Sequence, residues 1–188
     1  MKIEAIVWDI GGVLIEDPSV NNFWKENPDS KELRELFGTG KISINLFISK
    51  GAKMLNMSKE KFLKKYKEVY LSVLIIKEVF DIYQRIQINK YILSDTNPIH
   101  AKYIQANFKQ ILKLAKGVFL SNQIKRRKSD LETFEFLIKE IGLKSEHILF
   151  IDNTKEHIER AKSLGINIIH YQTPKQLLEE LKRYGIKI

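Results

Sequence analysis

The hydrophobic pattern of the chain begins with a short, nearly continuous apolar run from Ile3 to Trp8, which ends at Asp9. Such a run, rich in β-branched residues, is typical of a strand buried on both faces of a sheet. Asp9 would then follow the carboxyl end of that strand, where ligands bind in open parallel sheets. Gly11 and Gly12 come next and allow the backbone to turn sharply and to approach a ligand closely. The structural alternative is an acidic residue that simply caps a strand.

The pattern becomes helical between residues 16 and 77, where we find no convincing strand. Residues 31–37 and 42–57 favour helices, and Ser58 suits the N-cap position of a third helix. That third helix has an apolar and aromatic stripe, which we interpret as the core of the segment, with one or two members that could line a substrate pocket. The stripe includes Phe62, Tyr66 and Tyr70.

From about residue 78 onward, short apolar strands alternate with amphipathic helices. We predict these strands at residues 91–93, 118–120, 147–151 and 166–171. One intervening helix is predicted to start at Pro98, with Asn97 as its N-cap, and to continue to Leu112. Another is predicted to start with a capping box formed by Ser129 and Glu132.

Strands separated by helices of this length imply a parallel sheet with helices on both faces. The predicted fold class is therefore α/β, a doubly wound parallel five-stranded Rossmann-like sheet with an inserted all-helical cap. We assign residues 1–15 and 78–188 to the sheet domain and residues 16–77 to the cap.

The composition is that of an ordinary globular protein, with 188 residues, 44% hydrophobic and 29% charged. No apolar run is long enough for a membrane span, and the N-terminal pattern differs from that of a signal peptide. There are no cysteines, which excludes disulfides, thiolate catalysis and thiolate metal sites in this chain. We expect a cytoplasmic protein without a membrane partner.

The net charge of +9 raises the question of anionic partners. The excess is spread over the chain, with one dense run from Lys125 to Lys128. A diffuse basic surface favours anionic ligands in general and does not favour a nucleic-acid partner in particular. The first three residues of that run fit a solvated basic loop.

Polar residues follow four of the predicted strands at the same edge of the sheet: Asp9, Ser94 with Asp95, Lys128, and Asp152 with Asn153. This set suits phosphoryl chemistry. One carboxylate can attack phosphorus, and a second can hold Mg²⁺ beside the substrate phosphate. A hydroxyl can donate to the phosphate, and an ammonium can offset the charge on the transferring group.

These segments resemble the haloacid dehalogenase superfamily, in its branch of small phosphatases with a helical cap inserted after the first strand. The resemblance lies in the segments WDIGGVLIED, KYILSDTNP and the stretch from SNQIKRRKSD to HILFIDNTKE, and it covers nearly the whole chain.

The resemblance implies a role for each matching residue. Asp9 is the expected nucleophile, with Ser94 and Lys128 as the other catalytic residues. Gly12, Asp95 and Thr96 are expected to bind substrate. Asp9, the Gly11 carbonyl, Asp152 and Asn153 are expected to hold Mg²⁺.

The chain departs from the family pattern at three of these positions. Gly11 stands where the phosphatases usually carry a second aspartate that acts as general acid and base, and such help is typically worth about 10²–10⁴-fold. Glu16 or Asp17 could replace it. Asn153 stands in place of a metal-binding aspartate, and Asp95 adds a negative charge beside the phosphate.

The sequence therefore favours a Mg²⁺-dependent phosphomonoesterase acting on a small phosphorylated metabolite, such as a sugar phosphate, through a phospho-aspartate on Asp9. Two alternatives stay open: a metal-independent hydrolase of the haloacid dehalogenase type, and a catalytically weak basic binding protein on the same fold. We expect His100 and His157 to be structural or solvated. The oligomeric state is not fixed by the sequence.

Overall fold

The computed structural model describes residues 2–16, 30–70 and 73–188. It contains five strands, and most of their residues are buried or half-buried. The strands are β1 (Ala5–Trp8), β2 (Asn89–Ser94), β3 (Gly117–Leu120), β4 (Ile148–Asp152) and β5 (Asn167–His170). They form one sheet in the order β3-β2-β1-β4-β5, and every pair is parallel. The predicted α/β class with a parallel five-stranded sheet is thus confirmed.

The register of the sheet brings the predicted site residues to one level. Trp8 of β1 pairs with Ile92 of β2 on one side and with Ile151 of β4 on the other. Asp9 therefore lies beside Asp152, and its backbone N–H donates to the carbonyl of Ile151 at 3.0 Å. The central strand thus delivers its aspartate between the ends of its two neighbours.

Helices fill the connections between the strands. Three lie between β1 and the next helix of the sheet domain: α1 (Ser30–Gly38), α2 (Ile44–Met54) and α3 (Lys59–Tyr70). The others are α4 (Lys77–Arg85), α5 (Pro98–Asn107), α6 (Lys109–Lys113), α7 (Ser121–Ile124), α8 (Leu131–Ile141), α9 (Lys155–Ser163) and α10 (Pro174–Arg183). A 3₁₀ turn, Ser145–His147, precedes β4.

The sheet has an apolar core on each face, because successive side chains of a strand point to opposite faces. Ile6 and Trp8 belong to one core, whereas Ala5 and Val7 belong to the other. All four side chains are fully buried. The continuous apolar run of β1 is explained by this two-sided burial.

The helices α1, α2 and α3 enclose a third apolar cluster of their own, centred on Phe37, Phe47, Phe62 and Tyr66. Phe37 stacks on Phe47 with ring centroids 3.8 Å apart. We call α1–α3 the inserted helices, since they follow β1 and precede α4 in the chain. The chain enters and leaves them through two adjacent stretches, where Ile15 and Ile75 form an antiparallel bridge.

Two details of the predicted helices are wrong. The helix that starts at Pro98 does not continue to Leu112, since it breaks at Phe108 into α5 and α6. The capping box of Ser129 and Glu132 does not form, because Asp130 is the N-cap of α8 and the Ser129 hydroxyl donates to the Asp130 carboxylate at 3.2 Å. By contrast, Asn97 caps α5 as predicted, with its Oδ1 accepting from the N–H groups of Ile99 and His100. Among the described residues, no helix has the length and apolarity that crossing a membrane would require.

The packing of Gly51 predicts a destabilising substitution. A Cβ at this position of α2 would overlap the ring of Phe62, which is fully buried against Phe47 and Tyr66 and so has little freedom to move. We expect Gly51→Ala to lower the free energy of unfolding by about 1–3 kcal/mol, as overpacking does, although alanine favours helix by about 1 kcal/mol. Urea unfolding measures the change. Lys50→Ala, on the exposed side of the same helix, is the control. A Gly51→Ala protein as stable as the parent would contradict the packing.

Candidate active site

Asp9 lies at the carboxyl end of β1, at the floor of a cavity of about 430 Å³ between the strand ends and the inserted helices. Its Oδ1 accepts from the N–H of Ile10 at 2.7 Å. Gly12 has a positive φ of 74°, and a Cβ there would overlap the side-chain amide of Asn153. The turn after β1 therefore needs glycine, both for its conformation and for its close contact with the end of β4.

The cavity contains most of the residues that the sequence singled out. They are Asp9, Gly11, Ser94, Asp95, Thr96, Lys128 and Asn153. Gly12 and Asp152 are not among its lining residues. Gly12 is a half-buried residue of the turn itself, and Asp152 is fully buried in contact with Lys128.

Lys128 links the two carboxylates at the centre of the site. Its Nζ lies 2.7 Å from Asp9 Oδ2 and 2.5 Å from Asp152 Oδ2, and its side chain is 1% exposed. The other oxygen of Asp152 accepts from the N–H of Thr154 at 2.7 Å, and His157 Nδ1 lies 3.2 Å from Asp152 Oδ2. Two anions and one buried cation thus form a single hydrogen-bonded unit.

The three charged groups of this unit differ in the direction of their pKa shifts. Burial raises the pKa of Asp9 to about 7, although Lys128 opposes the shift. Burial also raises the pKa of Asp152, but Lys128 and His157 outweigh it, so that pKa lies well below its usual range. Burial lowers the pKa of Lys128, and the carboxylates of Asp152 and Asp9 more than reverse this. Lys128 and Asp152 therefore stay charged near neutral pH, and Asp9 is the member that can exchange a proton.

The residues after β2 are held by protein groups that also line the cavity. The Asp95 carboxylate accepts from the backbone N–H of Lys128 at 3.0 Å and from Arg127 Nε at 3.1 Å. These donors compensate the extra negative charge that the sequence places beside the site. Ser94 is buried, and Thr96 Oγ1 lies 3.3 Å from His100 Nδ1. Burial lowers the pKa of His100 to about 4, which keeps the ring neutral.

The arrangement of strands and helices is similar to that of several solved proteins. No family model matches the chain. A solved HAD family enzyme of Bacteroides thetaiotaomicron, BT-2542, superposes with a TM-score of 0.76 at 22% identity, over 92% of this chain and 95% of that one. A predicted HAD-like hydrolase of Porphyromonas gingivalis gives 0.75 at 23% identity, over 97% and 99%. The chain has the HAD fold. The expected resemblance to the haloacid dehalogenase superfamily is thus confirmed at the level of the fold.

Two further HAD structures differ in what they contain. An aspartate-to-alanine mutant of BT-2542 was solved in complex with magnesium and inorganic phosphate, and it superposes with a TM-score of 0.77 at 21% identity, over 90% of this chain and 94% of that one. L-2-haloacid dehalogenase of Xanthobacter autotrophicus, with chloropropionic acid covalently bound, gives 0.65 at 16% identity, over 99% and 85%. The HAD fold alone therefore does not decide between phosphorus and carbon as the reacting atom.

The oxygen donors of the site fit a magnesium ion, although only one of them, the Asp9 carboxylate, is charged. Asp9 offers a carboxylate, Gly11 a carbonyl and Asn153 an amide oxygen, and all three residues line the cavity. Mg²⁺ prefers such hard oxygen ligands and usually takes one or two carboxylates together with substrate oxygens and water. The described residues contain no group of three or more His, Asp or Glu side chains that could hold a metal. The substrate phosphate would therefore have to complete the shell.

Sequence reasoning missed the residues that connect the site to the inserted helices. Arg127, expected in a solvated loop, bridges Asp95 and Glu35 of α1, each at 3.1 Å. Ser121 Oγ lies 2.8 Å from the Gly38 carbonyl, at the other end of α1. Lys31, Arg34, Phe37 and Tyr66 line the cavity from the inserted helices, and both His100 and His157 line it from the sheet domain. The basic run from Lys125 to Lys128 was the sequence signal for Arg127, but it did not reveal which member turns inward.

The raised pKa of Asp9 predicts a pH-dependent stability. In the unfolded chain the Asp9 carboxyl loses its proton near its ordinary pKa of 3.8, whereas in the folded protein it does so near 7. The folded state binds more protons over this interval, so its stability falls as pH rises from about 4 to about 7, by up to about 1.4 kcal/mol per unit.

Asp9→Asn removes this titration, so the variant should gain stability relative to the parent between pH 5 and pH 8. Urea unfolding of both proteins in the presence of a chelator measures the difference at each pH. A stability difference that is the same at pH 5 and pH 8 would show that Asp9 does not titrate in this range.

Proposed function

We propose that the protein is a Mg²⁺-dependent phosphomonoesterase that acts on a small phosphorylated metabolite through a phospho-aspartate on Asp9. The observation that carries this proposal is the Asp9 carboxylate at the cavity floor, 2.7 Å from the buried ammonium of Lys128. A carboxylate so placed can act as a nucleophile, and the cation beside it can offset the charge of an incoming phosphate.

The proposed reaction proceeds in two steps. An oxygen of Asp9 attacks phosphorus in line, the bond from phosphorus to the leaving oxygen breaks, and water then cleaves the acyl-phosphate. Ser94 and backbone N–H groups hold the phosphoryl oxygens, and Lys128 keeps Asp9 oriented. Bound Mg²⁺ would add further compensation of the phosphate charge, held by Asp9, the Gly11 carbonyl and Asn153, with Asp152 behind them.

Proton transfer to the leaving group is the weak point of this site. Gly11 has no side chain that could supply the proton. Glu16 is engaged elsewhere, because its Oε2 accepts from the N–H of Leu74 at 3.1 Å where the chain returns from the inserted helices. Asp17 lies outside the described residues. We therefore expect slow hydrolysis that favours substrates with good leaving groups.

The inserted helices complete the proposal as a cap. In this proposal residues 16–77 form the cap and residues 1–15 and 78–188 form the catalytic domain. The support is that α1–α3 enclose their own apolar cluster and also contribute Lys31, Arg34, Phe37 and Tyr66 to the cavity. A cap in this position excludes water from the reacting groups and selects the substrate.

One observation favours a second candidate, a metal-independent hydrolase of the haloacid dehalogenase type. The Lys128 ammonium already contacts both Asp9 and Asp152, so one cation is in place without a metal. In this reaction the Asp9 carboxylate would attack carbon and release halide. The two candidates share the nucleophile and differ in their need for Mg²⁺.

We expect purified protein to hydrolyse p-nitrophenyl phosphate only with Mg²⁺, and Asp9→Asn to abolish the turnover. The nitrophenolate leaving group needs little protonation, so the assay tests the nucleophile without the missing acid. Glu135→Gln, an exposed carboxyl-to-amide change on α8, is the matched control and should keep full activity. Absence of turnover at every Mg²⁺ concentration, with halide released from 2-chloropropionate, would decide for the second candidate.

The space beside Gly11 predicts a gain of activity. A Cβ built at this position meets no atom within 4 Å, so a side chain can be accommodated there. We expect Gly11→Asp to supply a general acid and to raise the hydrolysis of an alkyl phosphate by at least about 10-fold, towards the typical range of about 10²–10⁴-fold. The rate with p-nitrophenyl phosphate should change much less.

Gly11→Asn is the control, because it has nearly the same shape and cannot transfer the proton. The measurement is the ratio of kcat/KM for alkyl over aryl phosphate in the three proteins. An equal ratio in Gly11→Asp and Gly11→Asn would refute the role of position 11 in leaving-group protonation.

A further inference from the structure

We propose that the preferred ligand carries a second anionic group, a carboxylate or a second phosphate, which binds to Arg34 and Lys31 of α1. This inference rests on the proposed function, in that the first phosphate is taken to bind at Asp9 and Ser94. It narrows the substrate class from phosphorylated metabolites in general to compounds with two separate anionic groups.

Charged side chains of both signs line the cavity. Among the described residues, four Lys or Arg side chains line it, and two of them are already neutralised: Lys128 by Asp9 and Asp152, and Arg127 by Asp95 and Glu35. The Asp and Glu side chains that line the cavity are thereby used. Lys31 and Arg34 form no ion pair with any residue in the described parts of the chain. Within the described parts of the chain, the α1 side of the cavity thus carries two positive charges without an ion-pair partner.

Arg34 also has a hydrogen-bonding group that awaits a partner. Its Nε is enclosed by protein, and it has no hydrogen-bond partner among the described residues. A buried guanidinium N–H without a partner is unfavourable, so a ligand oxygen would satisfy it once the Arg34 side chain turns towards the cavity on binding. The planar guanidinium suits bidentate contact with a carboxylate or a phosphate.

Lys31 reinforces the site because it lies three residues before Arg34, about one helical turn away on the same side of α1. Glu156, a carboxylate influenced by the charge of Lys31, is itself bound to Arg160 at 2.7 Å. Lys31 thus lies near the Glu156 carboxylate without forming an ion pair with it, and it also lines the cavity. Neutral sugar hydroxyls would leave both cations uncompensated, whereas an anionic group would satisfy both.

The position of α1 places this pair across the cavity from the strand ends. A Cβ at Gly38, the last residue of α1, would lie 3.3 Å from Arg127 Nη1 and 3.5 Å from the carbonyl of Thr96. The carboxyl end of α1 thus rests on the loop after β2, and Arg34 lies one turn earlier. The volume of about 430 Å³ is within the range of about 300–1,000 Å³ that is usual for small-ligand sites, and it exceeds the need of a phosphate alone.

The test uses three phosphonates that share a three-carbon skeleton and resist hydrolysis. Propylphosphonate has one anionic group, 3-phosphonopropanoate adds a carboxylate, and propane-1,3-diphosphonate adds a second phosphonate. We call the last two compounds dianionic because each has two separate anionic groups. Isothermal titration calorimetry with the full-length protein and Mg²⁺ measures the three dissociation constants. We expect at least one dianionic compound to bind about 10- to 100-fold more tightly than propylphosphonate, the usual effect of a charge-assisted hydrogen bond. The tighter of the two dianionic compounds identifies the second group.

The variants assign this advantage to Arg34 and Lys31. Arg34→Gln should remove most of the difference between the dianionic compounds and propylphosphonate, Lys31→Gln should reduce it, and Arg34→Lys should restore part of it. Lys64→Gln, an exposed change on α3, is the control and should keep the full difference. Equal binding of all three phosphonates, or an Arg34→Gln variant that weakens all three equally, would overturn the inference.

Turnover of p-nitrophenyl phosphate separates this inference from the proposed function. Mg²⁺-dependent turnover without any advantage of the dianionic compounds would overturn the second site and leave the phosphatase proposal intact. An Arg34-dependent advantage in a protein without turnover would support the dianion site and count against the phosphatase proposal.

Discussion

The buried ammonium of Lys128 between the carboxylates of Asp9 and Asp152 is the interaction on which the site depends. Removing Lys128 would leave two buried carboxylates without their cation, and breaking a buried ion pair in this way typically costs about 3–5 kcal/mol. The register of the sheet makes the contact possible, since Trp8 pairs with Ile151 and thereby sets the two aspartates side by side. The central position of β1 in the sheet therefore accounts both for its apolar sequence and for the position of Asp9 beside Asp152.

The inserted helices contact the sheet domain through several polar groups, and Ile99 of α5 packs against their apolar cluster. Arg127 reaches from the loop before α8 to Glu35, Ser121 lies against the Gly38 carbonyl, and Lys125 donates to the carbonyl of Gly40 at 2.8 Å. The ion pair of Arg127 with Glu35 and the exposed bond of Lys125 contribute little individually, whereas the hydrogen bond of Ser121 is buried. Each part also has apolar clusters of its own.

The sequence was sufficient for the sheet and for the residues at its edge, because both depend on local patterns. Short apolar runs predicted the strands, and the carboxyl ends of parallel strands necessarily share one edge. The inward turn of Arg127, the contact of His157 with Asp152 and the contribution of Lys31 and Arg34 depend on how distant segments pack, which has no local signal. The absent capping box at Ser129 has the same origin, since Asp95 and Arg127 draw the loop before α8 into the site and Asp130 becomes the N-cap.

The chain enters and leaves the inserted helices through two stretches that lie side by side. Glu16 donates its N–H to the Leu74 carbonyl at 2.8 Å, and Ile76 donates to that of Leu14 at 3.1 Å. Because entry and exit are so close together, a helical insert of another length or shape could occupy the same junction without displacing β1 or β4. The inserted helices could thus be replaced at this junction by another helical segment, in evolution or by engineering, while the strand ends that carry Asp9 and Asp152 keep their positions.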